Sequence, residues 1–159
     1  MPAQEDDRGA GAHDPGRNDL PLYRRLDDLV RLLDVVEPLY VRYSEDPAAD
    51  VGGRTIDGES GLMLPGLSTN RLTPEPWWTR PVRQWVARQL MKYRHLAATG
   101  DGRVAWVLSG IEVGRGPDSE PLLTAIIPIA VLATTVLDEA DEIYGAAFDR
   151  GRPVARGRE

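Results

Sequence analysis

The sequence predicts an α+β domain: a small, mostly antiparallel sheet packed against a long central helix, with further helices towards the N- and C-terminal ends. Three observations predict it. Apolar residues recur every three or four positions over 82–96, from Val82 through Trp85, Val86, Leu90 and Tyr93 to Leu96. Two β-rich stretches, 104–113 and 122–127, flank a connection bearing Gly and Pro, which describes a hairpin. Shorter helical stripes lie on either side, at 23–33 and 136–147.

At 159 residues the chain has the usual size of one domain, and its 42% apolar and 28% charged content is that of a folding chain with one core. The expected domain is 19–150. Residues 1–18 and 151–159 carry Gly, Pro and charge with little to bury, so each is expected to be a disordered tail. A net charge of −6 repels phosphate backbones, and nucleic acid is not an expected partner. The chain contains no cysteine, which excludes disulfides, thiolate metal ligands and cysteine nucleophiles. No stretch approaches the roughly 20 apolar residues of a membrane span, and residues 1–19 lack the apolar segment of a secretory signal. A bacterial cytoplasmic protein without a membrane contact is expected.

In chain order, Tyr23, Leu26, Leu29, Val30 and Leu33 form one face of a short helix whose other face carries Arg24, Arg25, Asp27, Asp28 and Arg31. After Pro38, residues 39–43 read as a strand that puts Leu39, Val41 and Tyr43 on one side and Tyr40 and Arg42 on the other. Residues 44–61 are expected to be loop, with Asp46-Pro47, Gly52-Gly53 and Asp57-Gly58 as turns; so long a connection is more often functional than a short one. Short extended pieces follow at 62–64 and 67–70. The hydroxyl of Thr79 is expected to cap the long helix, with Pro81 needing no donor in its first turn and Gly100-Asp101-Gly102 ending it. In the last helix Thr135 is the expected cap, with Asp138 and Glu139 in the first turn.

The segments Tyr40-Val41-Arg42-Tyr43-Ser44, Glu59-Ser60-Gly61-Leu62, Leu64-Pro65-Gly66-Leu67-Ser68, Glu75-Pro76-Trp77-Trp78 and the run from Val113 to Leu123 together resemble a family of small actinobacterial domains of unknown function. The likeness covers residues 22–150. It implies a shared fold and no particular chemistry.

The connection 114–121 is the richest place for a ligand. Gly114 and Gly116 let backbone amides come close, Arg115 can grip a carboxylate or phosphate in a bidentate way, and Asp118 and Glu120 add two carboxylates. The plainer alternative is a turn with Arg115 paired across it with Asp118 or Glu120. It matches neither a P-loop, since no Gly-Lys-Ser/Thr follows, nor the three-glycine dinucleotide pattern, and no cofactor is expected. The order Arg42, Ser68-Thr69, Glu120 also resembles the Arg, Ser-Thr, Glu arrangement of ADP-ribosyltransferases. That resemblance implies Arg42 on dinucleotide phosphates, a hydroxyl positioning a ribose, and Glu120 stabilising an oxocarbenium-like transition state. The sequence departs from it in placing a helix between hydroxyl and glutamate, and in having Asp118 two residues before Glu120.

No metal site is expected. His13 lies in the N-terminal tail, His95 is a lone imidazole near a helix end, and Asp46, Asp50, Asp57 and Glu59 lack calcium-loop spacing. Trp77 and Trp78, with Trp85, form either a partner surface or ordinary core, and Arg80, Arg83, Arg88, Lys92 and Arg94 make the long helix locally basic. Lacking a nucleophile–base pair, the chain is first expected to be a non-enzymatic binding or accessory domain, with loops 44–61 and 114–121 flanking a groove. Its ligand-binding residues would be Arg42, Ser68, Arg115, Asp118 and Glu120, and its partner a protein or a small anionic ligand. An enzyme acting on a nucleotide or phosphorylated ligand competes with this, as does a protein-interaction module built on Trp77 and Trp78.

Overall fold

The computed structural model of the protein describes residues 19–52, 55–92 and 102–148. Both expected tails, His13, His95 and the 93–101 end of the expected long helix lie outside these residues.

Two twelve-residue strands, β5 (Val104–Arg115) and β6 (Pro121–Leu132), form the hairpin around which the rest is arranged. Among the described residues six strands form the sheet, in the order β1-β6-β5-β2-β4, with β3 also on β6. The others are β1 (Leu22–Tyr23), β2 (Tyr40–Ser44), β3 (Leu67–Ser68) and β4 (Asn70–Arg71). β1 runs parallel to β6 and every other pairing is antiparallel. The helices are α1 (Leu26–Leu33), α2 (Pro47–Val51), α3 (Val82–Met91) and α4 (Thr134–Phe148).

This corrects the expected fold. The sheet is mixed and curled into a half-barrel, and among the described residues none of the four helices is long or central. The reason lies in the hairpin, whose first strand runs unbroken through Ser109 and Gly110 and takes in Gly114 and Arg115 from the expected connection. It does so through register shifts at 107/108, 109/111 and 112/114. Each irregularity bends and twists a strand locally. At one of them Gly110 leaves no room for a side chain, since a Cβ there would lie 3.0 Å from the Thr124 carbonyl oxygen. Once curled, the sheet encloses part of the core itself, and no single helix has to cover it.

The chain from β3 to β4 completes the curl. Leu67 and Ser68 pair with Leu123 and Leu122 of β6, while Asn70 and Arg71 pair with Val41 and Tyr40 of β2. Thr69, between them, donates both its amide (3.0 Å) and its hydroxyl (3.1 Å) to the Pro121 carbonyl. This strap joins the free edges of β2 and β6, so β2, β5, β6 and the strap surround one apolar cluster of Tyr40, Leu67, Trp106, Leu108, Leu123, Ile126 and Val131. Trp106 is fully buried there, its indole N–H donating to the Ser44 hydroxyl at 2.9 Å. The opposite face of the sheet, with Val41, Tyr43, Ala105, Val107 and Leu132, packs with α1, α3 and α4. The alternation expected of residues 39–43 is observed: Leu39, Val41 and Tyr43 join the helix side and Tyr40 the other.

Helix ends differ from expectation. Thr79 makes no cap for α3, whose N-cap position is Pro81. α4 begins at Thr134, and the Thr135 hydroxyl donates to the Arg24 carbonyl at 2.6 Å. Glu139 instead takes the free Leu26 amide of α1 at 2.7 Å, a cap supplied across 113 residues. Asp27 of α1 pairs with Arg83 of α3.

Candidate functional site

Period-two alternation sends Arg42 to the Tyr40 side of β2, where its guanidinium meets three different segments. Its Nε donates to Asp50 Oδ2 at 2.7 Å. Asp50 is in place because residues 44–61 are not structureless: Asp46 Oδ1 accepts from the Ala48 amide at 3.0 Å and Pro47 opens α2. Arg42 Nη1 donates to the Ser68 carbonyl at 2.8 Å and, more weakly, to Thr55 Oγ1 at 3.5 Å. Thr55 Oγ1 in turn accepts from the Ser68 amide at 2.8 Å. Arg42 Nη2 makes no hydrogen bond among the described residues.

The β5–β6 turn brings up the acidic half. Pro117 follows Gly116 in a tight turn closed by the Ser119 amide on the Gly116 carbonyl at 3.0 Å, and Ser119 adopts a left-handed φ of 61°. This folds Glu120 back over Gly116. Glu120 Oε2 accepts from the Asp118 amide at 2.9 Å and Oε1 accepts from the Ser68 hydroxyl at 3.1 Å. A continuous polar chain thus runs from Asp50 through Arg42 and Ser68 to Glu120.

Beside that chain is a cavity of about 420 Å³, within the usual range for small-molecule sites. Arg42 and Lys92 supply its positive charge, Asp118 and Glu120 its negative charge, and Ser68, Asn70 and Tyr43 complete the described lining. Burial pushes the Lys92 ammonium below its ordinary pKa, and nearby Arg88 adds to the effect. A second cavity of about 450 Å³ lies along α2 and shares Arg42 and Tyr43 with the first.

Four of the five residues expected to bind a ligand therefore line one space: Arg42, Ser68, Asp118 and Glu120. Arg115 does not. It is held by Glu112, 2.9 Å from its Nη2, and its Nη1 donates to the Ser119 carbonyl at 3.2 Å. Glu112 also accepts from the Tyr40 hydroxyl at 3.3 Å; burial, and then the Glu112 charge, push the Tyr40 phenol upward. Trp77 and Trp78 are away from the cavity, in an edge-to-face group with Trp85. Trp85 is core, whereas Trp77 is 68% exposed. Sequence reasoning did not assign Thr55, Asn70 or Lys92 to the site, and it placed Asp50 only in an acidic loop. Asp46-Pro47 was a legible signal for α2, and hence for Asp50, because the pair is a helix start as well as a turn. Lys92 is named in the basic run of the expected long helix, while nothing local marks Thr55 or Asn70.

Among the described residues no three His, Asp or Glu side chains are grouped to hold a metal ion. No helix among them is long and apolar enough to cross a membrane. The sequence model of a family of unknown function, DUF6098, matches residues 16–153. No curated protein and no solved structure matches the chain.

Proposed function

Because the chain belongs to this family of unknown function, kinship supplies no ligand, and from the geometry we propose a non-enzymatic binding domain whose cavity holds a small charged organic molecule. An anionic group of that molecule meets Arg42 Nη2 and Lys92. One observation carries the reading: Arg42, Ser68, Asp118 and Glu120, distant in sequence, line a single cavity. Arg42 is preorganised by its bonds to Asp50 and the Ser68 carbonyl, so little side-chain freedom remains to be lost on binding. The same reading takes the protein as bacterial and cytoplasmic, with no nucleic-acid partner.

Ligand-dependent thermal stabilisation tests it, since a molecule that binds only the native state raises apparent stability by mass action. Amino acids, sugar phosphates and nucleotides form the panel. A ligand of this cavity stabilises the wild-type chain and the Arg115→Ala variant, and stabilises Glu120→Gln and Lys92→Met less. A shift lost only in Arg115→Ala would move the site elsewhere.

The Ser68–Glu120 hydrogen bond favours a second reading, an enzyme acting on a nucleotide or phosphorylated ligand. A carboxylate steadied by a hydroxyl and a backbone amide can stabilise positive charge developing on a sugar ring. This activity predicts release of the base from a nucleotide such as NAD, abolished in Glu120→Gln. No product over hours at high enzyme concentration would leave the binding reading alone.

A further inference from the structure

The described walls of the cavity carry charge of both signs, and those charges do not neutralise one another. Among the described residues Lys92 makes no ion pair, and neither does the Asp118 carboxylate, the bond of that residue being made by its amide. Glu120 keeps acceptor capacity beyond its two donors, and Arg42 keeps Nη2. Asp50 already balances Arg42 from behind. The described surroundings therefore sum to no excess positive charge, which disfavours a phosphate dianion. Lys92 and Arg42 can only donate and so require an acceptor; ionised Asp118 and Glu120 can only accept and so require a donor.

We infer that the ligand is a zwitterion of the α-amino acid class, a free amino acid or a short peptide, with its carboxylate towards Lys92 and Arg42 and its ammonium towards Asp118 and Glu120. This rests on the cavity being a ligand site. Such a molecule matches both kinds of wall with charge-assisted hydrogen bonds. It also leaves a volume beside Tyr43 and Asn70 for a side chain, so those two residues set which amino acid is preferred.

Isothermal titration of the full chain with the twenty standard amino acids and with glycyl dipeptides tests this, with glucose 6-phosphate, AMP and inorganic phosphate run in parallel. At least one amino acid or dipeptide binds. N-acetylation of it, or amidation of its carboxylate, weakens binding by about tenfold or more, because each removes one charge-assisted set. Asp118→Asn weakens the free amino acid by about tenfold and leaves the N-acetylated form unchanged. That variant is a safe probe of folding, since the structural bond at this position comes from the backbone. Binding of the phosphorylated compounds without the amino acids overturns the zwitterion while the ligand site stands. Binding of none of the probes overturns both.

Discussion

The Ser68 hydroxyl donates to Glu120 Oε1 at 3.1 Å, joining the strap and the β5–β6 turn across 52 residues of sequence. The backbone of Ser68 is engaged separately, its amide on Thr55 and its carbonyl on Arg42. The side chain is therefore available to position the carboxylate while the backbone holds the fold.

Ser68→Ala is accordingly expected to cost only about 1 kcal/mol or less in unfolding free energy, the usual net worth of one partly exposed hydrogen bond. Ligand affinity should suffer more, as Glu120 loses the group that steadies it. Urea denaturation and ligand titration of the same variant separate the two effects. A large stability loss would show that the hydroxyl serves the fold.

Gly116→Ala should imitate the loss of Glu120. A Cβ at this position would overlap the Glu120 carboxylate, which is a movable side chain. The variant is expected to fold, with Glu120 displaced from Ser68 and ligand-dependent stabilisation reduced as in Glu120→Gln. Unchanged ligand response would mean that Glu120 does not work from its observed position.

Gly66→Ala tests the closure of the half-barrel. A Cβ on Gly66 would lie 2.9 Å from the Leu123 carbonyl oxygen and 3.0 Å from its amide nitrogen, with Val113 Cγ2 at 3.1 Å. Backbone at the β3–β6 pairing cannot rotate away as a side chain can. The expected loss is about 1–3 kcal/mol, typical of overpacking, read as a lower urea midpoint. A neutral result would show that the strap can shift outward without consequence.

The Asp27–Arg83 pair ties α1 to α3. Hydrogen bonding and then the charge of Arg83 hold the Asp27 carboxyl below its ordinary value of 3.8. A depressed folded value means that the unfolded chain takes up the proton first as pH falls. Stabilisation by the pair is thus whole above 3.8 and fades as pH drops through the lower folded value. The pair is exposed and its worth is small. Thermal melts should place wild type slightly above Asp27→Asn at neutral pH, with the gap closing in strong acid. A gap that persists there would assign the effect to something other than charge.

Much of the local structure was legible because it depends on near neighbours. The stripes of α1 and α4 and the alternation of β2 reflect patterns of 3.6 and 2 residues, and the Arg42 face followed from the latter. The 82–96 stripe reads as a central helix because it is the strongest apolar pattern in the chain, and pattern strength does not say what covers a sheet. Asp46-Pro47 carried two meanings, and only the position of Asp50 beside Arg42 chose between them.

By itself, then, the sequence determined the helical stripes of α1 and α4, the alternating faces of β2, and that the 114–121 region concentrates carboxylates near a turn, whereas α2 lay in an expected loop and Tyr23 of β1 in an expected helix. Only the tertiary structure decided that Ser68 and Glu120 meet, that Lys92 and Asn70 join them, and that Arg115 turns away to Glu112. Those outcomes depend on the register shifts that curl β5 and β6 and on the strap that closes onto β2. Apart from the Arg115–Glu112 pair, such couplings act between residues tens of positions apart, where no local periodicity records them.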